Sequence, residues 1–109
     1  MCPCGSGLPY DGCCGPLHAG APAPSPEALM RSRYSAFARG LADYLLATWH
    51  PSTRPDTLEL DDTVWRRLQI VDVSGDVVEF WASYRGGLLH ERSRFVREGG
   101  RWFYLSPVE

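Results

Sequence analysis

Apolar residues recur along this chain with two different periods, one in each half. In the first half they return every three or four positions, as on one face of a helix. The positions of this face are Met30, Tyr34, Phe37, Leu41, Leu45 and Thr48. Gly40 interrupts the face, because glycine is a poor helix former. We therefore predict one helix over residues 27–39 and a second over residues 41–49.

Residues at the ends of these helices support the assignment. Ser25 is an expected N-cap, and Pro26 fits the first helical position. The His50-Pro51 pair ends the second helix, because a residue before proline avoids helical backbone angles. A third, short helix is predicted over residues 61–67, with an aspartate as its cap.

In the second half the apolar residues alternate with polar ones, as in strands that have one buried face. Glycine-containing turns separate four such segments: Leu68–Ser74, Val77–Tyr84, Leu88–Arg97 and Arg101–Leu105. Helices followed by an antiparallel meander predict an α+β fold, in which the helices pack on the sheet. We expect Phe37, Trp49 and Phe80 to be largely buried in its core.

The N-terminal residues differ in character from the remainder. Residues 1–20 hold all four cysteines, residues 21–26 read Ala-Pro-Ala-Pro-Ser-Pro, and residues 27–109 carry the periodic patterns. A proline-rich segment is a stiff spacer. We therefore expect a small N-terminal knuckle, a linker, and an α+β domain that folds without the knuckle.

The charge and hydropathy of the chain argue against two classes of function, nucleic-acid binding and membrane association. The net charge is −2, although all eleven basic residues are arginine, so the chain lacks the basic bulk typical of nucleic-acid-binding proteins. No apolar run approaches the roughly 20 residues that span a bilayer, and no secretory signal pattern opens the sequence. We expect a cytoplasmic protein with no membrane contact, in which clustered cysteines stay reduced and bind metal.

The cysteines follow the pattern Cys-x-Cys, eight residues, then Cys-Cys. Four thiolates satisfy tetrahedral zinc, so we predict one structural zinc ion per chain. Its expected ligands are Cys2, Cys4, Cys13 and Cys14. Three alternatives are a vicinal Cys13–Cys14 disulfide, a free or redox-active cluster, and replacement of one thiolate by His18.

These cysteines also carry a family resemblance. Cys2-Pro3-Cys4-Gly5-Ser6-Gly7, Tyr10 and Cys13-Cys14 resemble the SEC-C zinc motif. The remainder resembles the YchJ family of bacterial proteins, which has no assigned activity, in these blocks: Leu29–Phe37, Asp43-Tyr44-Leu45, Thr48–Pro51 and His90–Phe95. The resemblance implies a nuclear transport factor 2-like (NTF2-like), or cystatin-like, cone, a curved sheet wrapped around helices. Longer members carry a second SEC-C motif, which this sequence does not contain.

Several polar and aromatic side chains are candidates for a pocket inside such a cone. The set is Arg31, Tyr34, Trp49, His50, Trp81 and Arg92. Because Arg92 and Arg94 alternate with Ser93 and Phe95, the two arginines share one face of the third strand. If that face is concave, the arginines need anionic partners; if it is convex, they are solvated.

Three hypotheses of function follow. The leading one is a non-enzymatic zinc-binding adaptor that contacts a protein or ribonucleoprotein partner, the partner type that the SEC-C resemblance implies. The second is a small-ligand-binding protein or enzyme that uses the cone pocket. His50 has the pKa range for acid–base chemistry, but no nucleophile–base pair stands beside it. The third is nucleic-acid binding through Arg31, Arg33 and Arg39.

Overall fold

The computed structural model describes residues 1–108, so the last residue of the predicted domain 27–109 lies outside the described part. A single 3₁₀ turn, Tyr10–Gly12, precedes three helices and four strands. The helices are α1 (Cys14–His18), α2 (Pro26–Arg39) and α3 (Ala42–Ala47). The strands are β1 (Trp65–Ser74), β2 (Val77–Tyr84), β3 (Gly87–Glu98) and β4 (Arg101–Pro107).

The ends of α2 are set by the residues that the sequence indicates. The Ser25 hydroxyl accepts a hydrogen bond from the backbone N–H of Ala28 at 3.1 Å, and Pro26 occupies the first turn. At the other end Gly40 adopts a left-handed conformation with φ 75°, which glycine reaches without steric cost. The predicted break at Gly40 is therefore confirmed.

The predicted helix over residues 61–67 is wrong. Among these residues, 61–64 form no regular element and Trp65 already begins β1. Trp65 pairs with Tyr84 across the sheet, and its ring also packs edge-on against that of Tyr34. The carboxylate of Asp61 accepts from the Thr63 backbone N–H at 3.0 Å, which makes a local turn instead of a helix cap.

The four strands form one antiparallel sheet in the order β1-β2-β3-β4, as the meander pattern predicts. The sheet is curved, and register shifts interrupt the β1–β2 and β3–β4 ladders. Its inner face presents buried side chains to the helices: Leu68, Val78, Phe80, Ala82, Ser93 and Phe95. This is the predicted α+β, NTF2-like architecture with its N-terminal cysteine cluster.

The hydrophobic core joins the N-terminal segment to the rest of the molecule. Cys2, Cys4 and Cys14 belong to the same buried cluster as Leu29 and Tyr34, and Ala23 of the proline-rich segment packs against it. The cysteine segment therefore covers the core, and the expectation of a decoupled knuckle is corrected. The limits 1–20, 21–26 and 27–109 themselves stay a prediction.

Burial of the large aromatic side chains follows the prediction only in part. Phe80 is buried, whereas Phe37 and Trp49 are only half-buried. Phe95, which the pattern does not single out, is wholly enclosed with 0% exposure. Among residues 1–108, no helix has the length and hydropathy that a membrane crossing requires.

Candidate functional site

The four cysteine side chains converge at the N-terminal edge of the core. The Sγ atoms of Cys2, Cys4, Cys13 and Cys14 all lie within 4.8 Å of one another. Two of the separations are 3.5 Å, between Cys4 and Cys13, and 3.9 Å, between Cys13 and Cys14. Tetrahedral zinc with Zn–S bonds of about 2.3 Å places its sulfur atoms about 3.8 Å apart. The cluster thus has the dimensions of a four-thiolate metal site.

Local backbone geometry brings the two cysteine pairs together. The backbone N–H of Cys2 donates to the Leu8 carbonyl at 2.8 Å, which closes the first loop. Gly5 turns this loop with a φ of 81°, an angle that favours glycine. In the second pair, the N–H of Cys13 donates to the Tyr10 carbonyl at 3.0 Å, and Gly15 lies so close to Tyr10 that a Cβ there would be 2.9 Å from its carbonyl oxygen.

Polar groups around the sulfur atoms suit thiolate ligands. Ser35 from α2 places its hydroxyl 3.3 Å from the Cys14 sulfur and 3.5 Å from the Cys2 sulfur. Burial acts to raise the pKa of Cys2, but hydrogen bonds from Ser35 and from backbone amides lower it to about 6. Burial raises the pKa of Cys14. Metal ions bind cysteine as thiolate, so a bound cation would offset the burial that raises the pKa of Cys14. The four converging sulfur atoms therefore fit a metal ion.

Two of the three alternatives, the Cys13–Cys14 disulfide and a His18 ligand, are disfavoured by this geometry. All four cysteines carry free thiols, so Cys13 and Cys14 form no disulfide here. Both ring nitrogens of His18 are engaged elsewhere: Nδ1 lies 2.6 Å from the Tyr10 hydroxyl, and Nε2 lies 2.8 Å from the Ser32 carbonyl oxygen. His18 is therefore held by α2 and does not replace a thiolate.

The arginines of α2 do not form the surface stripe that the nucleic-acid hypothesis requires. Arg31 is bound to Glu27 at 3.0 Å and to the Cys4 carbonyl at 3.0 Å. Arg33 points into the core with 4% exposure, and Arg39 lies 3.9 Å from the centre of the Tyr10 ring. Each of the three guanidinium groups thus has a different environment.

A second candidate site is an interior cavity of about 220 Å³ between α2 and the concave face of the sheet. Of the six predicted pocket residues, two line it, Tyr34 and Trp49. The other four do not line it: Arg31, His50, Trp81 and Arg92. The structure therefore corrects the prediction that these four side chains line the pocket.

Strand parity explains the placement of the residues outside the cavity. Phe95 points inward, so Arg92 and Arg94, which alternate with it, are exposed on the convex face. Trp81 also lies on the convex face, stacked on His90 at 4.4 Å between ring centroids. His50 sits at the far end of the sheet, where its Nε2 contacts Glu98 at 2.8 Å.

Four polar residues line the cavity but are absent from the predicted pocket set: Arg33, Glu91, Ser93 and Tyr104. For two of them, Arg33 and Glu91, the sequence pattern indicates that the side chain faces the core. Arg33 is three residues after Met30 and four before Phe37, so it shares their helical face. Glu91 shares strand parity with the buried Ser93 and Phe95. Burial together with the nearby Glu91 carboxylate raises the pKa of Tyr104 to about 12.

Known proteins resemble this chain over nearly its whole length. Residues 25–107 match the model of the middle NTF2-like domain of YchJ. A UPF0225 protein of Streptomyces coelicolor is 54% identical over 112 residues, which cover 94% of this chain and 90% of the relative. A UPF0225 protein of Deinococcus radiodurans is 54% identical over 115 residues, covering 99% and 88%.

Two solved structures have the same fold. The solution structure of a SEC-C motif containing protein from Rhodopseudomonas palustris aligns with a TM-score of 0.84 and 40% identity, covering 98% of this chain and 96% of that one. The crystal structure of a SEC-C motif containing protein from Psychrobacter arcticus gives 0.82 and 30%, covering 99% and 81%. With its N-terminal cysteine cluster on an NTF2-like domain, the chain belongs to the YchJ family.

Proposed function

We propose that this protein is a zinc-binding module, in which one zinc ion fixes the N-terminal segment on the NTF2-like domain and the assembled surface contacts a protein partner. The observation that carries the metal role is the convergence of four sulfur atoms within 4.8 Å. The similar Rhodopseudomonas and Psychrobacter proteins are SEC-C motif proteins as well. The proposal includes a cytoplasmic location, because reducing compartments keep such thiols free to bind metal.

The donor set supports zinc and a structural role. Four sulfur ligands in tetrahedral geometry are typical of zinc or of iron–sulfur centres. Four protein ligands leave no coordination position for water or substrate, so the ion would hold the fold and would not perform chemistry. Bound zinc would give a colourless protein, whereas an iron–sulfur cluster would absorb visible light.

Elemental analysis of the purified chain tests the metal role. We expect one zinc per chain in the parent and in Ser6→Ala, because Ser6 contacts the Cys13 sulfur at 3.1 Å but is not a proposed ligand. We expect Cys4→Ser to lose the metal. Metal-free parent protein with four freely titratable thiols and unchanged folding would contradict the proposal, as would full zinc content in Cys4→Ser.

The convex face of the sheet is the surface that best suits a protein partner. It exposes Trp81 by 38% and Leu88 by 59% beside His90, Arg92 and Arg94. Aromatic and arginine side chains are enriched where proteins bind one another. The separation of the α2 arginines and the net charge of −2 favour a protein surface as partner over bare nucleic acid.

Photo-crosslinking in cells tests this second part. A photoreactive residue at position 88 should give a discrete adduct, and the same residue at position 43 should not, because the exposed Asp43 lies on α3. Substitution Trp81→Asp should remove the adduct formed at position 88. Equal adducts at both positions, or none at position 88, would contradict a specific contact on the convex face.

A further inference from the structure

The interior cavity presents more hydrogen-bond donors than the surrounding protein satisfies. Its walls are mainly aromatic, with Tyr34 and Phe37 from α2 facing Tyr104 from β4. Among these apolar groups stand Arg33 and the indole of Trp49. Because buried polar groups are normally hydrogen-bonded, donors without acceptors in this wall indicate a missing partner.

Arg33 is held in place by one of its terminal nitrogens alone. Nη1 donates to the Leu45 carbonyl at 2.8 Å and to the Thr48 hydroxyl at 2.7 Å. The guanidinium lies 4.7 Å from the centre of the Tyr104 ring and 5.4 Å from that of Trp49. No ion pair within the described chain includes Arg33.

The remaining donors of Arg33 have the geometry of a carboxylate site. A guanidinium has five N–H groups, and the two hydrogen bonds that Arg33 donates within residues 1–108 both come from Nη1, which leaves Nε and Nη2 for a ligand. The N–H groups of Nε and Nη2 lie side by side, and this edge binds both oxygens of a carboxylate in parallel. Burying a guanidinium is costly. The Glu91 carboxylate offsets part of that cost through space but makes no salt bridge to Arg33, so an anion at this edge would offset it directly.

The indole of Trp49 adds a further donor in the same wall. Its Nε1–H is buried and has no hydrogen-bond partner in the described part of the chain. On the opposite wall, the Glu91 carboxylate already accepts from the Ser93 hydroxyl at 2.5 Å. The cavity walls thus place the donors of Arg33 opposite the Glu91 carboxylate, and Glu91 disfavours a ligand with a second negative charge.

The volume of the cavity and its opening to the surface fit a ligand with a single aromatic ring. A cavity of about 150 Å³ admits benzene in an engineered protein, so about 220 Å³ has room for a ring with one carboxylate. Leu89 lines the cavity and is 39% exposed, so the cavity reaches the surface beside this residue. Offset or edge-on stacking with the wall residues would hold the ring.

We propose that this cavity binds a small aromatic monocarboxylate, with the carboxylate on Nε and Nη2 of Arg33 and the ring between the aromatic walls. Benzoate is the probe, and benzamide is its neutral isostere. Binding to the full chain is measured by titration calorimetry.

Variants at two neighbouring positions locate the binding site. Leu89→Trp should obstruct the mouth of the cavity, and Leu88→Trp is the matched control, because Leu88 is exposed on the convex face. We expect saturable benzoate binding, weakened about tenfold or more in Leu89→Trp and within about twofold of the parent in Leu88→Trp. Benzamide should bind at least about tenfold more weakly than benzoate, because it offers no charge to Arg33.

A charge-neutral variant adds a direct test of the guanidinium. Arg33→Met should abolish benzoate binding, and its circular dichroism spectrum shows whether the variant is folded. If it is not folded, the comparison of Leu89→Trp with Leu88→Trp tests the proposal without it. Absence of saturable benzoate binding to the parent, equal affinity for benzamide, or equal losses in Leu88→Trp and Leu89→Trp would each overturn the proposal.

Discussion

Phe95 is the largest side chain that the core encloses completely, with 0% exposure, and its ring packs edge-on against Tyr104 at 5.9 Å between centroids. Truncation to alanine leaves a void that the close-packed interior fills only in part. We expect Phe95→Ala to lower the free energy of unfolding by about 3–5 kcal/mol. Phe37→Ala is the matched comparison and should cost less, about 1–2 kcal/mol, because Phe37 is half-buried.

Urea unfolding followed by far-ultraviolet circular dichroism measures both values. An equal loss in the two variants would mean that the burial of Phe37 in solution matches that of Phe95. The periodic pattern ranks Phe37 as a core residue because it recurs at helical spacing. It cannot show that the cavity opens beside Phe37, since that depends on how far α2 stands from the sheet.

At the scale of elements, capping chemistry gives a separate prediction for α2. Ser25→Ala removes the acceptor of the Ala28 N–H and should lower the free energy of unfolding by about 1 kcal/mol. Ser25→Gly should lower the free energy of unfolding by only about 0.3 kcal/mol, because glycine is also tolerated as an N-cap. Equal losses in the same urea experiment would show that the missing hydroxyl alone, and not the backbone freedom of glycine at position 25, determines the stability of the start of α2.

Elements with local signals were predictable from the sequence, and elements fixed by distant contacts were not. Both ends of α2 and the full extent of β2, Val77–Tyr84, follow from neighbouring residues. The start of β1 does not, because Trp65 joins the sheet through its pairing with Tyr84, nineteen positions along the chain. Asp61 and Asp62 favour the start of a helix at this point, but pairing with the sheet makes Trp65 the start of a strand instead.

The two candidate sites, the cysteine cluster and the cavity, also differ in how far the sequence predicts them. The four metal-site cysteines lie within fourteen residues of one another, so their spacing alone predicts their convergence. The cavity is assembled from α2, the loop after α3 and all four strands. Whether Arg92 or Glu91 faces it depends on which side of β3 is concave, and strand alternation fixes only that they face opposite ways.

For the whole molecule, the decisive feature is that the cysteine segment forms part of the core. Cys2, Cys4 and Cys14 bury their side chains against Leu29 and Tyr34, and Leu68 of β1 belongs to the same cluster. Hydrogen bonds from α2 to this segment come from Arg31, which donates to the Cys4 carbonyl, and from Ser35. Removing residues 1–22 would therefore expose apolar surface on the helix and the sheet and would remove partners of buried polar groups.

We expect a chain that begins at residue 23 to lose the cooperative thermal transition of the full protein. Cys4→Ser should lower the midpoint while keeping a cooperative transition, because it removes the metal link but leaves most of the apolar contacts. Differential scanning calorimetry of the two variants beside the parent separates these contributions. A truncated chain that unfolds cooperatively at the parent midpoint would show instead that the NTF2-like domain is complete without its cysteine segment. In that case the contacts between Cys2, Cys4, Cys14 and α2 would add little to its stability.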